Sequence, residues 1–490
     1  MRSNRVLLAT SLVAVLLTIS GPAAWALASG STSPATVPTQ EAAEEGDAQG
    51  VIASSGDLIV TEDTTLTENH RGRIFIAAHN VTLDCAGHKV SGPGLSGIHV
   101  EGPDGVTVRN CHVTQFNHGI LLIDSDGSQL TGNSTFANLE DGIRLNFSNG
   151  NEVTGNAAWS NVRHGVAIVG NLNIVEGNRA VQNGEVGFAQ GEGFGSNTYV
   201  DNTSTENGRH GFEILAPGGN SFTGNRANNN RSVGFFFGDS HDNQIASNAA
   251  GGNADTGFYL RESNDNTMTQ NTADSNGLFG SVIALGTGNS LVGNTFRDNA
   301  VLGVWAASSN ENRFEENVVS GSGGHGWYLA DSNDNVLVAN VGRLSGAAGF
   351  AVEANSSNNA FDSNTATDNA GDGFLVDETS ERSILTSNVA LRNSTGFVLL
   401  GDGARLDRNT ANRNAAGGFY VEFASHNMLT RNVALQNGSA GFSTGPNASE
   451  NTFAFNSACN NGLADGSADA VDAGIANVWE RNRFCTTEGI

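Results

Sequence analysis

Four carboxylates repeat in phase along the chain, at a spacing that a solenoid would bring together. Asp239 and Glu262 are 23 residues apart, and so are Asp242 and Asp265. If 23 residues make one turn of a solenoid, the four side chains form a two-by-two block on neighbouring turns. Hard oxygen ligands that close together suit Ca²⁺, which relieves their repulsion. The four acids are therefore candidate Ca²⁺ ligands, although metal-free Asp-Ser-x-Asp-Asn turns supply the same residues and are the favoured interpretation.

Large aromatic side chains recur beside these acids, two residues after a repeated glycine. Successive residues of a strand face opposite sides, so this position is predicted to face solvent. Aromatic rings with polar tips suit the faces of sugar rings. We therefore expect a platform for a polysaccharide, with a covering loop, the N-terminal leader or a partner rod as the alternative. The platform residues, called the aromatic row below, are Phe236, Tyr259, Trp305 and Tyr328.

Histidines recur directly before the same glycine, at His118, His164, His210 and His325. His118, Asp141 and His164 share one column over three repeats. With coils about 4.8 Å apart, one ion would need the outer two side chains to converge across about 9.6 Å. Because the histidines recur with the repeat, we interpret them as turn residues rather than as a metal or catalytic site.

The repeated glycine indicates the kind of structure that must position these residues. It occurs sixteen times from Gly97 to Gly441, at intervals of 22 to 24 residues. Most copies begin a Gly-apolar-x-apolar segment, and further glycines and asparagines interrupt the chain before a helix can form. Three short strands and three turns per repeat fit this pattern. We predict an all-β parallel solenoid of about 17 coils, with the first and third residues after each glycine pointing inward.

Three asparagine columns repeat in phase with the glycine, and we interpret them as structural. Asparagine tolerates left-handed backbone angles and bonds its own turn. Stacked asparagines also bond one another along an axis, as in amide ladders. Turn chemistry therefore accounts for them without a functional role.

Four cysteines lie in two pairs at the two ends of the chain. Cys85 and Cys111 are 26 residues apart, and so are Cys459 and Cys485. Stacked coils about 4.8 Å apart suit the Cα separation of a disulfide. We predict the disulfides Cys85–Cys111 and Cys459–Cys485, each tying one end of the solenoid.

The N-terminal segment and the charge restrict location and partners. Residues 1–28 read as a signal peptide, 29–50 as a disordered leader and 51–490 as the solenoid. The chain carries a net charge of −26, and Lys89 is its only lysine. Such a surface repels nucleic acid and anionic membranes, and no stretch is long enough to span a bilayer. We expect a secreted, periplasmic or cell-surface protein.

The repeat resembles the right-handed parallel β-helix repeat proteins over residues 51–490, and Val81-Thr-Leu-Asp-Cys-Ala-Gly-His88 resembles their usual first coil. That group includes pectate lyases, polygalacturonases, alginate epimerases, phage tailspikes and a periplasmic copper-maturation branch, so the fold implies no single function. If Ca²⁺ binds, Arg261 is the nearest residue to pair with a substrate carboxylate or to act as a base. That would resemble the calcium-plus-arginine arrangement of β-helix polysaccharide lyases, although no lyase motif matches.

These observations favour a secreted right-handed β-helix that binds an extracellular polysaccharide along its outward aromatic and acidic face. Whether it also processes that polymer, as a lyase or an epimerase, stays open. One alternative is a non-catalytic structural or adhesive rod that binds a protein partner. Another is a periplasmic copper-maturation protein, which the few histidines and three methionines argue against.

Overall fold

The computed structural model describes residues 54–215 and 217–490, and the regular elements in them are all β-strands. The predicted signal peptide and leader lie outside the described residues. No helix in the described part is long and apolar enough to cross a membrane.

Each strand pairs in parallel with the strand three places later in the chain, so one coil contributes one strand to each of three sheets. We call these sheets A, B and C. Sheets A and B have 20 strands each, and sheet C has 19. Sheet B begins each coil and carries the recurrent glycine. Its strands are Leu58–Val60, Ile74–Ile76, Ser96–Glu101, His118–Ile123, Ile143–Asn146, Val166–Val169, Phe188–Gln190, Phe212–Ile214, Phe235–Gly238, Phe258–Arg261, Phe279–Ala284, Leu302–Ala307, Trp327–Ala330, Phe350–Glu353, Phe374–Val376, Phe397–Leu399, Phe419–Val421, Phe442–Thr444, Ala470–Asp472 and Thr487–Glu488.

Sheets C and A follow sheet B in each coil. The strands of sheet C are Thr64–Thr65, Thr82–Asp84, Thr107–Arg109, Gln129–Thr131, Glu152–Thr154, Ile174–Glu176, Thr198–Val200, Ser221–Thr223, Gln244–Ala246, Thr267–Thr269, Ser290–Val292, Arg313–Glu315, Val336–Val338, Ala360–Asp362, Ile384–Thr386, Arg405–Asp407, Met428–Thr430, Thr452–Ala454 and Val478–Glu480. The strands of sheet A are Ser54–Ser55, His70–Arg71, Lys89–Ser91, His112–Thr114, Ser134–Phe136, Ala157–Trp159, Arg179–Val181, Thr203–Thr205, Arg226–Asn228, Ala249–Gly251, Thr272–Asp274, Thr295–Arg297, Val318–Ser320, Val341–Arg343, Thr365–Thr367, Val389–Leu391, Thr410–Asn412, Val433–Leu435, Ser457–Cys459 and Arg483–Phe484.

The core fills the space between the three sheets. The first and third residues after the glycine point inward as predicted, and Ile120 and Leu122 are fully buried. Phenylalanines stack along the axis, with 4.8 Å between the ring centroids of Phe188 and Phe212. Full burial of such a side chain contributes about 1.5–3 kcal/mol. The parallel solenoid predicted from the glycine spacing is confirmed.

Asparagine amides form ladders along the axis. The Asn225 side-chain amide donates to Asn248 Oδ1 at 3.0 Å, and the Asn225 backbone N–H donates to the same oxygen at 2.9 Å. The left-handed angles predicted for these asparagines belong instead to the residue before each of them, Gly224 (φ 70°) and Ser247 (φ 56°). Asn110 (φ 54°) and Asn358 (φ 59°) are left-handed as predicted. In the ladder itself the asparagine turns inward to satisfy backbone groups, and its predecessor makes the bend.

Both predicted disulfides are present. The Cα atoms are 4.8 Å apart in Cys85–Cys111 and 5.1 Å apart in Cys459–Cys485. Each bond joins neighbouring coils near one end of the described solenoid.

Candidate functional site

The aromatic row is covered rather than open to solvent. Phe236 and Tyr328 are each 7% exposed, Tyr259 is 9% exposed and Trp305 is 1% exposed. The expectation of a bare, solvent-facing sugar platform at these four residues is therefore wrong. A ring that is at least nine-tenths covered offers almost no face to a sugar.

The cover comes from side chains just before the recurrent glycine. The His210 ring lies flat on Phe236, with centroids 5.1 Å apart, and Phe279 packs edge-on against Trp305 at 5.3 Å. His325 likewise lies flat on Tyr328, at 5.4 Å. Strand alternation correctly points the row away from the core. It does not reveal that the neighbouring column closes over the row as a second apolar layer.

The four predicted calcium ligands are exposed turn residues. Asp239, Asp242, Glu262 and Asp265 all have left-handed backbones, with φ between 50° and 56°. Leu285 follows Asp239 and Glu262 in the same column and is left-handed too (φ 58°), so this turn does not require a carboxylate. Among the described residues, the sets whose ligand atoms lie within 4.8 Å of one another include none of the four. The acids are not gathered into a ready ligand set, and Ca²⁺ binding stays a prediction.

Three of the predicted site residues do come together around a cleft of about 460 Å³. We call it the Arg261 cleft; its lining residues are Glu192, Gly193, Leu215, Pro217, Gly238, Asp239, His241, Arg261 and Glu262. The Arg261 guanidinium lies 6.0 Å from the centroid of the Phe236 ring, and its Nε lies 3.9 Å from Glu262 Oε1. The lining of the cleft therefore contains one arginine, Arg261, and three carboxylates, those of Glu192, Asp239 and Glu262.

The proton of His241 in this cleft is positioned by the fold. His241 Nδ1 accepts a hydrogen bond from the backbone N–H of Asn264 at 3.0 Å. In the neutral ring the proton therefore stays on Nε2, which lies 3.3 Å from Asp239 Oδ1. His241 consequently presents a donor to the cleft and no lone pair for a metal.

A second group of polar side chains lies on the outward face of sheet B, at the residues just before and after the glycine. We call it the charged band; its members are His118, Glu140, Asp141, Arg144, Arg163, His164, Glu185, Arg209, His210 and Glu213. Backbone hydrogen bonds set Glu140, Arg163, Glu185 and Arg209 in one column on successive coils. Their charges alternate in sign along the axis. The alternation is visible in the sequence two residues before each glycine, but none of these four residues was predicted as a site residue.

Asp141 is the buried centre of the charged band. It is fully buried, and its Oδ2 lies 2.9 Å from Arg144 Nη1 and 3.4 Å from His118 Nδ1. Its Oδ1 accepts the backbone N–H of His164 at 3.3 Å. Burial acts to raise the pKa of Asp141, but the adjacent His118 ring and the positive charge of Arg144 outweigh it and hold that pKa well below its usual value. Asp141 therefore stays ionised and orients its neighbours.

The histidines of this column accept backbone hydrogen bonds. His164 Nδ1 accepts the Val186 N–H at 3.4 Å, and His210 Nδ1 accepts the Val233 N–H at 3.2 Å. Burial lowers the pKa of both rings, that of His210 to about 3 with help from Arg209. The neutral rings carry their proton on Nε2, so they serve as hydrogen-bond donors and not as bases or metal ligands.

Glu213 ends the band with a different electrostatic environment. It is 6% exposed, its Oε1 lies 3.0 Å from Arg209 Nη1, and burial raises its pKa although Arg209 opposes the shift. In strand register, Ala167 and Ala189 stand between Arg144 and Glu213. The band thus presents partly exposed charges at Glu140, Arg144, Arg163, Glu185 and Arg209, while its histidines, Asp141 and Glu213 are buried beneath them.

Two family models match the chain. One is described as a right-handed beta helix region and matches residues 192–309 and 281–421. The chain is a right-handed β-helix repeat protein. The other model, described as a periplasmic copper-binding protein (NosD), matches residues 35–193 of the chain.

Solved structures of low identity share the fold with this β-helix. A periplasmic alginate epimerase AlgG is 13% identical, with 68% of this chain and 77% of that chain covered and a TM-score of 0.38. The A-module of a mannuronan C-5 epimerase from Azotobacter vinelandii is 12% identical, with 58% and 88% covered and a TM-score of 0.35. The Dettilon tailspike protein is 13% identical, with 66% and 59% covered and a TM-score of 0.30. No curated protein matches this chain in sequence.

The copper in the second family's description raises the question of whether this β-helix holds a metal. His118, Glu140 and Asp141 bring ligand atoms within 4.8 Å of one another. However, Arg144 Nη1 lies 2.9 Å from Asp141 Oδ2, and Arg163 Nη1 lies 3.8 Å from Glu140 Oε2. Each carboxylate is already compensated by an arginine whose charge would repel a metal ion. This set does not fit copper.

Proposed function

We propose that this protein binds an extracellular polysaccharide across the outward face of sheet B, between the charged band and the Arg261 cleft. The observation that carries the proposal is that the two sites adjoin at the end of one strand of sheet B, Phe212–Ile214. Glu213 belongs to the charged band, and Leu215, two residues later, lines the cleft. Their Cα atoms are therefore about 7 Å apart along extended backbone.

The chemistry of the charged band suits sugar hydroxyls, which both donate and accept hydrogen bonds. Arg163 and Arg209 offer donors, and Glu140 and Glu185 offer acceptors in the same column. The column advances by about 4.8 Å per coil, so its groups repeat at a regular step as the units of a polymer do. The aromatic row then acts as support, because Phe236 lies beneath His210 and beside Arg261.

Any proton transfer on the bound polymer would fall to carboxylates. His164 and His210 have Nδ1 occupied by a backbone N–H, so in the neutral rings Nε2 has no lone pair to accept a proton. Both ring nitrogens of His118 face carboxylates, those of Glu140 and Asp141. Glu213 is the first candidate acid, since burial raises its pKa. Lyase or epimerase activity is a separate question from binding, and the assay for it follows once a polymer is identified.

We further propose a secreted or periplasmic location and, from the sequence, Ca²⁺ binding at the four exposed acids. The two disulfides support an oxidising compartment. Calcium binding is tested by measuring the melting temperature of the protein in the presence of Ca²⁺ and again after chelation with EDTA. A lower melting temperature after chelation supports the site, and an identical melt removes it.

The binding proposal is tested by retention on a panel of neutral and acidic polysaccharides. The variant Arg163→Gln/Arg209→Gln removes both cations of the alternating column. We expect its affinity for the retained polymer to fall about tenfold or more, since charged hydrogen bonds contribute most at such sites. The control Arg179→Gln/Arg226→Gln changes two exposed arginines of sheet A and should bind as the unaltered protein does. Equal affinity of both variants contradicts the proposal.

A further inference from the structure

Arginines concentrate in one short part of this acidic chain. Residues 382–431 contain six arginines against three acids, a net charge of +3, whereas the whole chain carries −26. One of those acids, Glu422, is 7% exposed, so it contributes little to the surface. The surface of these coils is therefore locally basic.

Four of these arginines gather on and beside the outward face of sheet C. We call them the arginine patch: Arg382, Arg405, Arg408 and Arg431. Arg405 lies in strand register between Ile384 and Met428, which are 45% and 46% exposed. The patch thus combines cations with exposed apolar side chains, on a different sheet from the charged band.

The charges of the patch are only partly compensated. Arg408 Nε lies 2.8 Å from Asp407 Oδ2, and Arg431 Nε lies 2.7 Å from Asp407 Oδ1, so one carboxylate serves two guanidinium groups. Both arginine side chains stay about three-fifths exposed, at 63% and 59%. Arg405 has no ion pair among the described residues. Arg382 is paired with Glu381, with 2.9 Å between Arg382 Nη1 and Glu381 Oε2. The excess of positive charge therefore lies at Arg405 and at the two arginines that share Asp407.

We propose that the arginine patch binds an anionic polysaccharide that carries carboxylate or sulfate groups. Arginine forks match such groups with paired hydrogen bonds, and the exposed Ile384 and Met428 side chains can cover the C–H faces of sugar rings. Nucleic acid fits less well, because its one charge per about 1.7 Å of duplex meets stronger repulsion from the acidic surface around the patch. The patch lies on sheet C, so this proposal does not depend on the sheet B site.

The test is binding of the whole protein to immobilised polygalacturonate, alginate and a sulfated polysaccharide, at low and at high salt. We expect binding at low salt that weakens as salt rises. The variant Arg405→Gln/Arg408→Gln/Arg431→Gln should lose about tenfold or more in affinity, because three cationic contacts are removed. Arg179→Gln/Arg226→Gln, on sheet A, should keep full affinity.

Further variants separate the outcomes. Arg405→Glu alone leaves the Asp407 pairs intact and should also weaken binding, so a folding defect of the triple variant does not decide the result. The triple variant should lose the same factor in affinity in an Arg163→Gln/Arg209→Gln background, because the two sites lie on different sheets. Failure of the unaltered protein to bind any of the three polymers, full binding by the triple variant, or tighter binding of single-stranded DNA would each overturn the proposal.

Discussion

At the residue scale, the position of one proton decides what each histidine of the charged band can do. His210 accepts the Val233 N–H at Nδ1, and its ring packs flat on Phe236. A proton on Nδ1 would face that N–H and remove the hydrogen bond. The histidine is thus part of the solenoid's backbone hydrogen bonding, which the regular recurrence of the residue already indicated.

This role predicts acid sensitivity at His210, whose pKa is lowered from 6.5 to about 3. The unfolded chain binds a proton below about pH 6.5, while the folded ring stays neutral. The stability that the neutral ring contributes is therefore fully present above that pH and is lost as pH falls towards about 3. We expect His210→Gln to lose less stability than the unaltered protein between pH 7 and pH 4, in denaturant titrations. Equal losses would contradict this, and the exposed His426→Gln serves as the control.

Asp141 gives a second prediction at this scale. Asp141→Asn removes a fully buried charge and leaves Arg144 and His118 without their anion. Breaking a buried ion pair in this way costs about 3 kcal/mol of unfolding free energy. Glu185→Gln, whose side chain is 44% exposed, should cost less than about 1 kcal/mol. Similar losses for the two variants would show that Asp141 is not the centre of the band.

At the scale of the element, the regular spacing of the glycines made the strands predictable. The side-chain packing between columns, which formed part of the site, was not predictable from that spacing. The glycine repeat and the alternation after it place Ile120 and Leu122 in the core, where the structure has them. The cover over Phe236 comes from His210, a residue of the preceding coil. Contacts between different columns depend on side-chain size and rotamer, which one-dimensional periodicity does not contain. The cleft around Arg261 likewise depends on the longer turn after Gln190.

The amide ladder gives the prediction for this scale. Asn294 donates from its amide to Asn317 Oδ1 at 2.9 Å, and its own Oδ1 accepts from Asn271. Asn294→Ala leaves the buried Asn271 backbone N–H without its acceptor and removes the side-chain donor to the Met268 carbonyl, which should lower the free energy of unfolding by about 2–4 kcal/mol. Ser345→Ala is a matched control, since Ser345 Oγ has no hydrogen-bond partner among the described residues. A ladder variant as stable as this control would show that the amides contribute little.

At the scale of the whole molecule, each coil contacts only its neighbours, so stability is local along the axis. The Cys459–Cys485 disulfide should therefore protect the last coils and not the middle ones. We expect Cys459→Ser/Cys485→Ser to speed amide hydrogen exchange beyond about residue 440, with a loss of about 3 kcal/mol there. Exchange between residues 200 and 350 should not change. A uniform increase along the chain would mean that the solenoid unfolds as one unit.

The charge of the whole chain is a poor guide to its surface. A net charge of −26 predicts repulsion of acidic polymers, yet arginines are concentrated in the charged band and in the arginine patch. Sequence composition averages over faces that the solenoid separates onto different sheets. The kind of partner that each face can bind therefore depends on which charged residues the solenoid places in the columns of that face.

The central claim, that a polysaccharide lies across sheet B, is tested most directly by amide hydrogen exchange with and without a saturating oligosaccharide of the polymer that retains the protein. We predict slower exchange at the sheet B strands and turns from His118 to Glu262, around Glu213 and Arg261. Protection confined to sheets A and C, with sheet B unchanged, would contradict the claim.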